Sequence, residues 1–223
     1  AHNFPRPGGK TPKPQTAASS SPYYREMIDA NEDNQKLFIS RYLEEKLRVD
    51  YWWMDAGWYP NQGDWTSVGT WEVAPKRFPN GLRAVTDYGH SRGVKSIVWF
   101  EPERVMPGTW LHDNHPNWLL GKQDTKLFNL GNPEARQWLT DHVDKLINDQ
   151  GIDLYRQDCN IEPLGYWREN DAEDRQGITE NFYIQGYLAY WDELIRRHPG
   201  MPIDTCASGG RRMSVLPSLE RQS

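Results

Sequence analysis

The sequence predicts an α/β fold of the (β/α)8 TIM-barrel type, of which it supplies about the first five strands. Three observations carry that prediction. Apolar, β-favouring runs alternate with amphipathic helical runs, strand then helix, four times over, and a fifth strand follows. That order demands right-handed crossovers and a parallel sheet. Connections after strands are long, whereas those after helices are short. Finally, the strands from the second to the fifth all end in functional groups: Asp55, then Trp99 and Glu101, then Asp158, then Cys206 with a glycine-rich turn. Groups spread over successive strand ends fit a barrel mouth better than the single crevice of a doubly wound sheet. No Gly-x-Gly-x-x-Gly follows a strand, which removes support for a dinucleotide fold. A full barrel needs about 250 residues and eight strands, so these 223 residues read as part of one.

Taken in order, residues 1–22 carry Pro5, Pro7, Pro12, Pro14 and Pro22 with Gly8-Gly9 and a serine run. Proline blocks ladder donation, so this stretch reads as an extended arm or linker ahead of a barrel domain over 23–223, with room for a short strand at Thr16–Ser20. Asn31 followed by Glu32 and Asp33 opens the first helix, and Phe38, Ile39, Tyr42, Leu43 and Leu47 give it an apolar face. Val49–Asp55 is a buried strand, and a long polar loop runs from Asp55 to about Asn80. The next helix runs from Leu82 to about Arg92 and stops at Gly93. Lys95–Glu101 is a strand, followed by a second long loop. Asn132-Pro133-Glu134 combines an N-cap, a first-turn proline and an acid, a strong helix start. Ile152–Asp158 is the next strand. The helix after it runs from about Thr179 to Arg197 with Phe182, Tyr187, Leu188, Trp191 and Ile195 on its buried side, and Pro202–Cys206 is the fifth strand.

Composition narrows the function classes. Net charge is -5 and no basic run occurs, so nucleic acid and anionic membranes are not expected partners. No apolar run reaches the roughly 18 residues of a membrane span, and no secretory leader is visible. Two cysteines, Cys159 and Cys206, do not make a disulfide framework, and free thiols in a reducing, cytoplasmic compartment are expected. The 11 Trp and 11 Tyr supply large buried surfaces, some of them suited to stacking on sugar rings. None of the six His makes a His-x-x-x-His pair on a pocket face, and no Gly-x-Ser-x-Gly occurs, so neither a metal site nor a serine triad is supported. A fifth strand with an unpaired edge predicts self-association into homo-oligomers.

What remains is a pocket of carboxylates and rings: Asp55, Glu101, Glu103, Asp158, Trp58, Trp99 and Arg156. Arg156, Asp158 and Asn160 alternate along one strand and therefore share a side. A cation two residues before a carboxylate suits an aimed nucleophile, and equally a structural Arg–Asp pair. Asp55 suits either a sugar contact or a cap on the turn at Gly57, and Glu101 and Glu103 suit an anchor that pairs with Arg104. Paired carboxylates flanked by tryptophan are the chemistry of glycoside hydrolysis.

Four ordered segments then resemble glycoside hydrolase family 36, the melibiase-type α-galactosidases. They are Asp55-Ala56-Gly57-Trp58, Val98-Trp99-Phe100-Glu101-Pro102-Glu103, Tyr155-Arg156-Gln157-Asp158-Cys159-Asn160 and Cys206-Ala207-Ser208-Gly209-Gly210-Arg211-Arg212. The resemblance spans about Thr16 to Arg212. It implies a retaining α-glycosidase, most simply one that hydrolyses melibiose- or raffinose-type α-galactosides through a glycosyl-Asp intermediate, with no metal or organic cofactor. It places Asp158 at the nucleophile position, Trp99 at a ring-stacking position, Asp55 and Arg156 at hydroxyl-binding positions, and Cys206, Ser208 and Gly209 in the wall near the sugar. Ala56 replaces a second Asp found in many members, Arg156 replaces a Lys and Gln157 a Trp, which puts galactose preference in question. The family's acid/base Asp lies on the sixth strand and is expected beyond Ser223. A sugar-binding remnant and a raffinose-synthase-like transglycosylase are the alternatives.

Overall fold

A computed structural model describes residues 15–19, 27–64 and 67–207. Its centre is a parallel five-stranded sheet. β1 (Ala17–Ser19) lies beside β2 (Tyr51–Met54), which follows helix α1 (Glu32–Glu44). Helix α2 (Arg83–His90) leads into β3 (Lys95–Phe100). A small antiparallel sheet then intervenes, made of β4 (Arg104–Val105), β5 (Leu119–Leu120) and β6 (Lys126–Phe128), with helix α3 (Trp110–Asn114) between β4 and β5. Helix α4 (Pro133–Gln150) precedes β7 (Leu154–Gln157), and helices α5 (Leu164–Asn170) and α6 (Ile178–Arg197) precede β8 (Ile203–Thr205).

The order across the main sheet is β1-β2-β3-β7-β8, so each strand lies beside its predecessor with no reversal. A doubly wound sheet would turn back at a switch point; sequential addition is how a barrel wall is laid down. β1 falls inside the stretch expected to be an arm, where the sequence left room for a short strand. Thr16 ties it down by accepting two N–H donations at its carbonyl, from Asp50 and Tyr51.

The helix ends follow local chemistry. Asn31 caps α1 in a reciprocal box with Asn34, each side chain accepting the other's backbone N–H at 2.9 Å. Asn132 accepts from the N–H groups of Glu134 and Ala135, and α4 stops at Gly151 in the left-handed conformation (φ 64°). Ala135, Leu139, Val143 and Ile147, spaced four apart, are its buried stripe. On α6 the stripe is Tyr183, Tyr187, Tyr190 and Leu194. This corrects the expected face in one respect: Phe182 is 59% exposed, because the helix is rotated to send the tyrosine hydroxyls under the sheet.

The two sheet faces differ in kind. Trp52, Met54, Val98, Phe100 and Tyr155 belong to the main core with the helices. Tyr51, Ile97 and Leu154, with Trp53, form a separate small cluster on the opposite face. Alternation makes that second face the one carrying Asp55, Trp99, Arg156 and Asp158 toward the C-terminal strand ends.

Candidate active site

The ends of three neighbouring strands are stitched at one level. The Asp158 N–H donates to the Phe100 carbonyl at 2.8 Å, and the Cys206 N–H donates to that of Gln157 at 2.7 Å. Behind β7, on the helical side, Tyr155 and Gln157 are fully covered. The Gln157 side-chain Oε1 accepts from the Trp191 indole at 2.8 Å and the Tyr155 hydroxyl at 3.1 Å, while its Nε2 donates to Glu103 at 3.3 Å. Tyr183 donates to the other Glu103 oxygen. Both sides of the strand are thereby fixed, and side-chain direction at Asp158 follows from it.

The Asp158 carboxylate lies at the strand end and accepts, among the described residues, from the Cys159 N–H at 2.8 Å, the Asn160 amide at 3.1 Å and the Trp99 indole at 3.3 Å. Asn160 is held in turn by donating its backbone N–H to Glu101 at 2.7 Å. Glu101 is completely buried and bound by Arg104 through Nε at 2.9 Å and Nη2 at 2.6 Å, the expected anchor. Glu103 departs from that expectation: its hydrogen bonds to Gln157 and Tyr183 draw it toward α6.

Asp55 ends β2 and accepts the Ala56 N–H at 2.7 Å. The turn it caps needs Gly57, whose φ is 100° and whose added Cβ would sit 2.8 Å from the Met27 carbonyl carbon. Burial pushes the Asp55 pKa up; the nearby Arg156 charge opposes that rise and the Asp158 charge adds to it. Asp55, Arg156 and Asp158 thus act on one another across the strand ends. Ala56 itself is 7% exposed.

Arg156 requires a correction. The sequence left its charge either to steady Asp158 or to make a structural pair with it; its Nη1 instead forms an ion pair with Asp204, the residue in register opposite it on β8. The guanidinium also lies 4.4 Å over the Trp53 ring. Trp58 requires another. It is 1% exposed, with its indole N–H donated to the Trp99 carbonyl at 2.8 Å, so it supports β3 from within the core. Trp99 is 5% exposed, packed against Trp71 and Tyr59 at centroid distances of 5.9 and 6.4 Å. The contact it makes at the site is the indole hydrogen bond to Asp158.

Cys206 follows β8 and Cys159 sits beside Asp158; neither is in a disulfide, and the Cys159 thiol donates to the Ile161 carbonyl at 3.6 Å. Ser208 and Gly209 lie outside the described residues. Sequence reasoning missed Asp204 and Trp53. The signal for Asp204 was present, since it precedes Cys206 by two and so shares its face. No group of three or more His, Cys, Asp or Glu among the described residues is arranged to hold a metal.

With this geometry in view, comparison with known proteins is direct. The melibiase family model matches residues 25–217. The chain belongs to the melibiase family. An α-galactosidase of Lactobacillus acidophilus is 30% identical over 197 residues, covering 84% of this chain and 27% of that protein. Alpha-galactosidase C of Emericella nidulans is 30% identical over 182 residues, covering 73% and 23%. Among solved structures, the family 36 α-galactosidase AgaB of Geobacillus stearothermophilus superposes with a TM-score of 0.78 at 21% identity, over 89% of this chain and 28% of that one. The α-galactosidase of Lactobacillus brevis gives 0.77 at 22% identity, over 88% and 27%. The melibiase chain therefore superposes on part of the barrel α-galactosidases and spans about a quarter of the length of the relatives it matches.

Proposed function

We propose that this melibiase chain carries the nucleophile of a retaining α-galactosidase that removes terminal α-galactose from melibiose- and raffinose-type oligosaccharides. The observation that supports it most is the Asp158 carboxylate, set at a strand end and oriented by Trp99, Asn160 and the Cys159 N–H. In this reading Asp158 attacks the anomeric carbon, the glycosidic oxygen leaves with a proton from a general acid, and water later releases the sugar from Asp158. The family resemblance assigns the general acid to an Asp on the sixth strand. Asp55 and Arg156 then bind ring hydroxyls, one as acceptor and one as donor. Solved relatives support the substrate class, one Geobacillus stearothermophilus α-galactosidase variant being in complex with stachyose and another with raffinose. A cytoplasmic site of action is part of this reading; no helix among the described residues is long and apolar enough to cross a membrane.

The test is turnover of an aryl α-galactoside, which needs little acid assistance, by the wild type and by Asp158→Asn. General acid help is worth about 100 to 10,000-fold on poor leaving groups such as that of melibiose, so the aryl substrate isolates the contribution of Asp158. Turnover that survives Asp158→Asn refutes the assignment. A second reading, sugar binding without hydrolysis, draws on the chain's share of its relatives, 27% of the Lactobacillus acidophilus protein. Calorimetric binding of galactose with no Asp158-dependent turnover would favour it.

A further inference from the structure

We infer that Asp204 is a positioning residue of this site: by pairing with Arg156 it sets where that guanidinium stands between Asp55 and Asp158. The inference rests on the proposed function for its sugar readout and on geometry for its cause. Arg156 and Asp204 are in register on adjacent parallel strands, so their side chains leave the sheet on the same face. They are joined through Nη1 and Oδ2. The guanidinium also lies over Trp53, which is on β2, two strands away from β7. A side chain that rests on an indole on one side and is tethered to a carboxylate on the other has little freedom. Its Nε is buried with no hydrogen-bond partner among the described residues, so the Asp204 pair and the Trp53 ring are the contacts that set its direction there.

The charges around it explain why the tether matters. Alternation along the strands puts Asp55, just past β2, Trp99 of β3 and Glu101 after it, Asp158 and Asn160 after β7, and Asp204 of β8 with Cys206 after it on the same side as Arg156. Four of these are carboxylates; Glu101 is paired to Arg104, Asp204 to Arg156, and Asp55 feels the charges of both Arg156 and Asp158. Coulomb attraction alone would draw an untethered guanidinium toward Asp55 and Asp158, across the place a sugar must occupy. Asp204 removes that choice. It stabilises the cation at the wall, where it can donate to a hydroxyl without covering the nucleophile.

The experiment is a cycle of Asp204→Asn, Asp204→Glu and Arg156→Gln in the full-length protein. Calorimetry with galactose and the 13C titration of the Asp55 side-chain carboxyl are the readouts. Expected for Asp204→Asn is about tenfold weaker galactose binding, together with an Asp55 titration moved to lower pH as Arg156 shifts toward it. Asp204→Glu should restore most of the affinity. In the Arg156→Gln background, Asp204→Asn should change neither quantity further. Should Asp204→Asn not fold, Asp204→Ser, which also removes the charge, carries the same comparison. An Asp55 titration unmoved by loss of Asp204, or effects that add to those of Arg156→Gln, would overturn the inference. A wild type that neither binds nor cleaves galactosides would instead overturn the proposed function, leaving the Asp55 titration to decide the role of Asp204.

Discussion

Replacing Gly186 by alanine separates what helix propensity predicts from what packing allows. Gly186 lies in the interior of α6, where alanine should stabilise an isolated helix by about 1 kcal/mol. In this fold its added Cβ would lie 2.6 Å from the Leu130 carbonyl carbon, closer still to that carbonyl oxygen, and 3.1 Å from Arg136 Nη1. Ordinary contact between carbon atoms is roughly 3.5 to 4.0 Å, so α6 and the turn before α4 must separate by about 1 Å. Neither side yields easily, because Leu130 is fully buried and Tyr183, Tyr187 and Tyr190 seat the same helix. Overpacking of this sort costs about 1–3 kcal/mol, and a backbone obstacle places it at the upper end. After the propensity gain, a net loss of about 2 kcal/mol remains. For a chain of this size that is a fall of about 4–8 °C in melting temperature. The strand behind Asp158 is fixed through Tyr183, Tyr190 and Trp191 of α6, so aryl galactoside turnover should fall along with stability. Urea and thermal unfolding of the two proteins measure it. A variant equal to or more stable than the wild type would show that the close approach of α6 to Leu130 is wrong.

Three further outcomes follow from the same geometry. Glu101→Gln leaves Arg104 without its anion and loosens Asn160, and should cost about 3 kcal/mol by urea unfolding, toward the lower end for a broken buried pair because Arg104 is partly exposed. Asp55→Asn should be more stable than the wild type at neutral pH yet inactive. Burial raises the Asp55 pKa, so the stability this residue supplies is full below its unfolded value of 3.8 and lost as pH rises through the folded one. Unfolding midpoints of the two proteins should converge toward about pH 3, and a gap independent of pH would refute this. Burial lowers the pKa of His142, whose Nε2 donates to the Trp71 carbonyl at 2.6 Å. Its neutral ring therefore supplies stability above the unfolded value of 6.5 that is lost as pH falls through it. His142→Phe should flatten the stability profile between about pH 7 and 5, and a slope unchanged by the substitution would assign it elsewhere.

Much of this was legible in the sequence because it is local. Asn31, Asn132 and Gly151 announce helix ends through bonds within a few residues, and the runs at Tyr51–Met54, Lys95–Phe100 and Leu154–Gln157 show their strands by composition. Alternation placed Arg156, Asp158 and Asn160 on one side before any pairing was known. The small sheet of β4, β5 and β6 was not legible, since strands of two or three residues have no period to read.

What the sequence determined by itself is the alternation of elements and the positions at which they end in carboxylates and rings, because both depend on neighbours along the chain. What only the tertiary structure decided is partnership. Asp204 and not Asp158 forms the ion pair found for Arg156, Trp58 turns into the core beneath Trp99, and Glu103 turns toward Tyr183. Each of those choices is made between residues tens of positions apart, by strand register and helix rotation, and no periodicity along the chain encodes which charge will meet which.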